Sequence, residues 1–199
     1  MQFFRRAEGR PSRLGILPGT FNPITVAHVG LARAALSHVD EVVYILPRVF
    51  PHKPYARASF AHRVELICAA ACEDPGFSVA AADGGLFVEI AAECRAAYGS
   101  DVAFTFLCGR DAAERIVNWD YGRPEALGEM LRQFDLLVAA RGGAYEPPAE
   151  FREAIKSMDL AELFDQISAT EVRAMIARGE AWEHLVPAAI RQRVREIYG

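Results

Sequence analysis

Apolar runs of strand length alternate with stretches of helical period through most of this chain, and that alternation restricts its fold more than any other feature. Residues 14–18, 41–47, 77–82, 102–108 and 134–140 read as buried strands, several of them rich in β-branched side chains. Between them, helical period is expected over 26–37, 59–73, 86–98, a short stretch after Gly109, and 122–132. Further on, helices are expected over 150–157, 170–178 and 187–198, with a brief strand near 163–166. Loops are marked by Pro47, Pro51 and Pro54, and again by Pro147-Pro148. Strand and helix in alternation predict an α/β fold: a mostly parallel sheet, helices on both faces through right-handed crossovers. Ligands of such sheets bind at the carboxyl ends of the strands, near the point where strand order reverses.

Composition bounds what that fold can do. With 22 basic and 26 acidic residues the net charge is -4, which argues against non-specific nucleic-acid binding. The 52% apolar content suffices for a real core. Met1 to Arg13 lacks the apolar stretch of a signal peptide, and no window approaches the ~18 apolar residues of a membrane span. The four cysteines, Cys68, Cys72, Cys94 and Cys108, form no zinc spacing and read as reduced, packed thiols. A cytoplasmic location is expected, with no membrane or nucleic-acid partner; a homo-oligomer is compatible with all of this.

The first strand ends at Pro18 and opens into a loop from Gly19 to Ile24. A glycine at a strand end lets a ligand approach the backbone closely. Thr25 is a good helix N-cap, and His28 falls at the third helical position over the same opening. The helix start supplies free N–H groups and partial positive charge, so the segment is an anion site built by local rules. Taken alone it is equally a capped strand–turn–helix with a solvated histidine.

Far downstream, Ile167-Ser168-Ala169-Thr170-Glu171-Val172-Arg173 places Ser168 and Glu171 at capping-box spacing, with Arg173 in the first turns. Hydroxyls and an arginine at a helix start suit phosphate oxygens. The plain alternative is a well-capped helix with an exposed arginine.

Gly19-Thr20-Phe21-Asn22-Pro23 followed by Thr25-Val26-Ala27-His28 resembles the signature of nucleotidyltransferases with a (His/Thr)-x-Gly-His motif, with Ala27 in the glycine position. Residues 167–173 resemble the Ile-Ser-Ser-Thr-x-Ile-Arg motif of the same superfamily, with Ala169 for one serine. The resemblance implies a Rossmann-like fold and one nucleotidyltransferase domain over 1–199, helical in its C-terminal portion from about 168. It implies transfer of a nucleotidyl group from a nucleoside triphosphate. By the same resemblance His28 contacts the α-phosphate, Thr25 contacts triphosphate oxygens, and Arg173 binds the departing β- and γ-phosphates with Ser168 and Thr170.

Three further segments look like nicotinate or nicotinamide mononucleotide adenylyltransferases: Pro51-His52-Lys53, Gly109-Arg110-Asp111 with Trp119 eight residues on, and His184-Leu185-Val186-Pro187. The resemblance then implies ATP binding by Gly19, Thr20, Phe21, Thr25, His28, Gly109, Asp111, Ser168, Thr170 and Arg173. It implies acceptor binding by Asn22, Lys53, Phe87 and Trp119, the aromatic ring stacking on the pyridine. Read from their chemistry alone, Lys53 is equally a surface lysine, Asp111 a helix-capping carboxylate and Trp119 a core side chain.

Two positions depart from that pattern. Phe87-Val88-Glu89-Ile90 carries no hydroxyl where the family has Thr-x-x-Thr, and Asp120 would repel a pyridine carboxylate, favouring the amide or another mononucleotide.

The implied chemistry is in-line attack by an anionic phosphate on the α-phosphorus of ATP, which needs no general base. His28, Lys53 and Arg173 are the expected catalytic residues, acting by position and charge. Mg²⁺ is expected on phosphate oxygens and water, with no protein ligand assigned. The competing readings are a phosphopantetheine adenylyltransferase, which the Thr25 position resembles, and a nucleotide-binding regulatory protein without catalysis. A cytidylyltransferase is disfavoured because the usual Arg-Thr-x-Gly-Ile-Ser-Thr run is absent.

Overall fold

The computed structural model describes residues 1–49, 58–140, 145–159 and 167–199. Within them the strands are β1 (Gln2–Arg5), β2 (Arg13–Pro18), β3 (Glu41–Pro47), β4 (Phe77–Ala82), β5 (Ala103–Gly109), β6 (Asp135–Ala140) and β7 (Ile155–Asp159). The α-helices are α1 (Val26–Ala35), α2 (Phe60–Ala71), α3 (Phe87–Tyr98), α4 (Arg110–Val117), α5 (Ala126–Leu131), α6 (Ala169–Arg178) and α7 (Arg191–Tyr198).

The strands form one sheet in the order β1-β4-β3-β2-β5-β6-β7. Every pairing is parallel except β1 on β4. Side chains alternate across each strand and so feed two cores. Leu17, Tyr44, Leu46 and Leu107 face one core with α1, α2, α6 and α7. Ile16, Ile45, Phe106 and Val138 face the other with α3, α4 and α5. β3 and β4 are buried along their whole length, as parallel strands covered on both faces must be. The expected α/β architecture is therefore the one observed.

Chain direction across the sheet reverses between β2 and β5. From β2 the chain proceeds outward through β3 to β4; from β5 it proceeds the other way to β6 and β7. The carboxyl ends of β2 and β5, at Pro18 and Gly109, flank this reversal. That crevice is where a doubly wound sheet takes its ligands.

Three local expectations change. The stretch 150–157 is not a helix: a 3-10 turn at Ala149–Phe151 leads into β7, whose backbone pairs with β6. Ile155 and Met158 are both buried, and their separation of three imitates helical period. The helix expected over 122–132 starts only at Ala126, after a turn in which Asp120 Oδ1 accepts from the Gly122 N–H at 2.8 Å. The last helix begins at Arg191, after a 3-10 turn at Ala188–Ile190. The strand expected near 163–166 lies outside the described residues. Among those residues no helix is long and apolar enough to cross a membrane.

Candidate active site

Gly19 leaves the sheet while its N–H still donates to the Ile45 carbonyl at 3.0 Å. The chain then turns sharply at Phe21, whose φ of 44° is a left-handed conformation that few aromatic residues adopt. The Phe21 ring folds back over residue 19, and a Cβ placed there would lie 2.8 Å from its Cζ. Glycine at 19 is thus required by the ring above it. Phe21 is 1% exposed and edge-on to Tyr44 and His28, with ring centroids 5.7 and 5.2 Å away. These contacts offset the backbone cost.

Three helices hold this loop from below. Arg63 of α2 donates from Nη1 to the Thr20 carbonyl at 3.0 Å. Arg173 of α6 donates from Nη1 to the Asn22 carbonyl. Tyr198 of α7 donates its hydroxyl to Asn22 Oδ1 at 2.5 Å. Burial pushes the Tyr198 phenol well above its ordinary range, while the nearby Arg173 and Arg63 guanidiniums pull the other way. Tyr198 therefore keeps its proton and remains a donor.

The loop runs directly into α1. Thr25 is its N-cap, with extended backbone and a fully buried side chain. Its N–H donates to His28 Nδ1 at 3.1 Å, and its Oγ1 lies 2.7 Å from the same nitrogen. With Nδ1 accepting, a neutral ring carries its proton on Nε2. Thr25 thereby sets the tautomer and aim of His28, which sits three residues into the helix, over its N-terminal end. Ala27 is buried, 8% exposed, on the inner side of the same turn.

At the start of α6 Ser168 Oγ accepts from the Glu171 N–H at 3.1 Å. The Glu171 carboxylate turns instead to Arg178, so half of the capping box is used. Arg173 also donates to the Ala169 carbonyl at 3.0 Å and to Thr170 Oγ1 at 3.3 Å. Its guanidinium thus ties the second motif to the first. The Arg173 guanidinium and two helix N-termini border one loop, with the Arg63 guanidinium buried beneath it, a positive setting suited to a polyphosphate.

Across the sheet reversal, Gly109 caps α4 and Asp111 lies exposed in its first turn. Trp119 follows α4 and is 59% exposed, so it is not a core side chain. Asp111 and Trp119 line one cleft of about 600 Å³ with Glu114, Arg115 and Asn118. Trp119 and Asp120 also line an adjoining hollow of about 430 Å³ together with Tyr121 and Arg123. Phe87 opens α3 on the same face of the sheet as α4; its ring stacks on Phe106 with centroids 4.3 Å apart. It is committed to the core by that stack. Lys53, with Pro51 and His52, lies outside the described residues. Among those residues no group of three or more Asp, Glu, His or Cys side chains converges to hold a metal.

Arg63 and Tyr198 belong to neither motif of the sequence. Arg63 had a signal: it occupies the buried stripe of α2 with Leu66, Ile67 and Ala70, at the i, i+3, i+4 and i+7 positions. A charge on an apolar stripe needs a buried acceptor, here Thr20. Tyr198 also lies on an apolar stripe, with Ile190 and Val194, and nothing local marks the use of its hydroxyl.

A family model described as cytidylyltransferase-like matches residues 16–175. A probable nicotinate-nucleotide adenylyltransferase of Citrifermentans bemidjiense is 30% identical over 210 residues, covering 92% of this chain and 96% of that protein. One of Exiguobacterium sibiricum is 30% identical over 191 residues, with the same two coverages of 92% and 96%. Among solved structures, the Plasmodium falciparum nicotinic acid mononucleotide adenylyltransferase complexed with NaAD superposes with a TM-score of 0.72. That match covers 94% of this chain and 98% of the other at 15% identity, a likeness of fold.

Proposed function

Because the chain belongs to the cytidylyltransferase-like family and, within it, to the nicotinate-nucleotide adenylyltransferases, we propose that it transfers AMP from ATP to the 5′-phosphate of nicotinate or nicotinamide mononucleotide, releasing pyrophosphate. The observation that carries this reading is the bond from Arg173 to Asn22, which joins the two segments expected to share one triphosphate.

In this reading an oxygen of the acceptor's phosphate forms a bond to the α-phosphorus of ATP. The bond from that phosphorus to the bridging oxygen of the β-phosphate breaks, and its electron pair leaves with pyrophosphate. The attacking oxygen is already anionic, so no residue need remove a proton. His28 donates from Nε2 to an α-phosphate oxygen as charge builds there. Arg173 binds the departing phosphates. Among the described residues its hydrogen bonds use Nη1 twice and Nη2 once, and Nε with the second Nη2 proton would serve those phosphates. Gly19, Thr20, Phe21 and Thr25 offer the loop and helix start to the triphosphate, Ser168 and Thr170 the second helix start, and Gly109 and Asp111 the nucleoside. Lys53 adds charge near the reacting phosphates, while Asn22, Trp119 and the start of α3 at Phe87 take the acceptor. Mg²⁺ is expected on phosphate oxygens and water, where it would spread the charge of the leaving group.

The test is an acceptor panel. The protein is incubated with ATP, Mg²⁺ and nicotinate mononucleotide, nicotinamide mononucleotide or phosphopantetheine, and pyrophosphate is measured. Release with a pyridine mononucleotide is expected. Release only with phosphopantetheine, or nucleotide binding with no release at all, overturns the proposal.

A further inference from the structure

We propose that Glu89 is a specificity-determining residue for the acceptor: its carboxylate is presented at the start of α3 as a hydrogen-bond acceptor, which favours the carboxamide of nicotinamide mononucleotide over the carboxylate of nicotinate mononucleotide. The inference rests on the adenylyl-transfer reading above and deepens it by choosing between its two acceptors.

α3 follows the carboxyl end of β4 and lies on the same face of the sheet as α4, the helix that leads to Trp119. Phe87, assigned above to the acceptor, turns its ring into the core against Phe106. What the start of this helix offers a ligand is therefore its backbone and its exposed side chains, Leu86, Val88 and Glu89. A helix start ordinarily draws a carboxylate to its N–H groups. Here those groups are already used. Glu89 Oε2 accepts from the Gly85 and Leu86 N–H groups at 2.9 and 3.0 Å. Glu93 Oε1 accepts from the Asp83 and Gly84 N–H groups, both at 2.9 Å. The consecutive backbone donors of residues 83–86 are thus all filled by carboxylates of the chain itself.

The packing of the turn fits this filling. A Cβ placed on Gly84 would meet the Glu89 Cβ at 2.5 Å and Oε2 at 2.7 Å, so glycine at 84 lets the turn close over the carboxylate. Among the described residues the hydrogen bonds to Glu89 use Oε2, and the residue is exposed, which leaves Oε1 to an incoming group. A carboxylate accepts and cannot donate. A carboxamide brings an NH₂ group that satisfies it. A nicotinate carboxylate brings further acceptor oxygens and a like charge, with the backbone donors taken. Leu86 and Val88, exposed on either side of Phe87, suit the apolar edge of an aromatic ring. Asp120, in the hollow it shares with Trp119, has the same sign and acts in the same direction.

The experiment measures kcat/KM for nicotinamide and nicotinate mononucleotide, with ATP and Mg²⁺, in the wild type, Glu89→Gln and Glu93→Gln. Thermal unfolding accompanies each. The wild type is expected to favour the amide about tenfold, the size of one hydrogen bond. Glu89→Gln keeps the shape of the side chain. Its carbonyl oxygen can still accept from Gly85 and Leu86, and its NH₂ then takes the outward place, where it suits a carboxylate. The amide-to-acid ratio should therefore fall about tenfold in this variant. Glu93→Gln loosens the same turn without altering the presented group, and its ratio should stay within about twofold of the wild type. A wild type that takes both acceptors alike, or favours the acid, overturns the inference whether or not the variants fold. So does an unchanged ratio in Glu89→Gln, or an equal fall in Glu93→Gln, which would mark a merely structural carboxylate. If the wild type releases no pyrophosphate with either mononucleotide, the adenylyl-transfer reading falls and this inference with it; if the wild type is active and Glu89→Gln leaves its ratio unmoved, this inference alone falls.

Discussion

Arg173 donates to the backbone carbonyl of Asn22, a residue 151 positions earlier in the chain, and to Ala169 and Thr170 of its own helix. One guanidinium thus sets the distance between the loop after β2 and the start of α6. Lysine at 173 would keep the charge but lose the planar fork that reaches these acceptors together. Arg173→Lys is expected to lower kcat/KM for ATP by about 10- to 100-fold, the range for lost charge-assisted hydrogen bonds. Steady-state kinetics with saturating mononucleotide checks this, and a value within about threefold of wild type removes Arg173 from the triphosphate site.

His28 is aimed by Thr25, whose N–H donates to Nδ1, and Nε2 is the atom proposed to meet the α-phosphate. His28→Ala should reduce kcat by a hundredfold or more, on the order of 3 kcal/mol of transition-state stabilisation. ATP binding measured by isothermal titration should change much less, because the donor is needed most when charge develops. Near-normal turnover in a folded variant would show that another group serves the α-phosphate.

How much of this was legible in the residues depends on distance along the chain. β3 announces itself because a strand covered on both faces is apolar along almost its whole length. Residues 2–5 do not, because an edge strand with alternating exposure looks like any short polar-apolar stretch. β7 imitates a helix through Ile155 and Met158, and only pairing with β6 decides the matter. In the site, Thr25, His28 and Ser168 follow from capping rules that span three or four residues. The Arg63–Thr20 and Tyr198–Asn22 bonds close over 43 and 176 residues, so no local pattern contains them.

Asp120 lines the same hollow as Trp119, the residue proposed to take the acceptor. Its carboxylate is pinned by the Gly122 N–H, which an asparagine carbonyl can also satisfy. Asp120→Asn therefore removes charge and keeps the turn. The ratio of kcat/KM for nicotinate over nicotinamide mononucleotide is expected to rise about fivefold, as for one unit repulsion in a wet site. An unchanged ratio would mean that Asp120 has no part in acceptor choice.

At Gly19 a methyl group meets the Phe21 ring at 2.8 Å, and that ring is pinned between Tyr44 and His28. Gly19→Ala should cost about 1–3 kcal/mol of stability as overpacking. Calorimetry would read this as about 2–4 °C of melting temperature for each kcal/mol. It should also displace the edge of His28 and depress turnover. A variant as stable and as active as wild type would mean the ring moves aside without penalty.

Burial pushes the thiols of Cys94 and Cys108 up to about 12. Thiolate is the reactive form, so at pH 8 both should be inert to a thiol reagent in the folded protein. Cys72 is exposed and should react promptly. As pH rises toward 12 the buried pair gains thiolate but stays enclosed, so its labelling should await unfolding. Rapid modification of Cys108 in native protein at pH 8 would contradict the packing of β5.

The supports of the loop after β2 come from α6 and α7, and this has a consequence for synthesis. A ribosome completes Gly19 to His28 early and reaches Arg173 and Tyr198 only some 150 to 176 residues later. A nascent chain translated as far as β7 already contains all seven described strands but neither the guanidinium nor the phenol that reaches Asn22. Such long-range contacts form late, after the local ones. The loop proposed to hold the triphosphate is thus among the first segments made and among the last to be secured, so stalled or prematurely terminated translation products are expected to occupy the cell without drawing on its ATP.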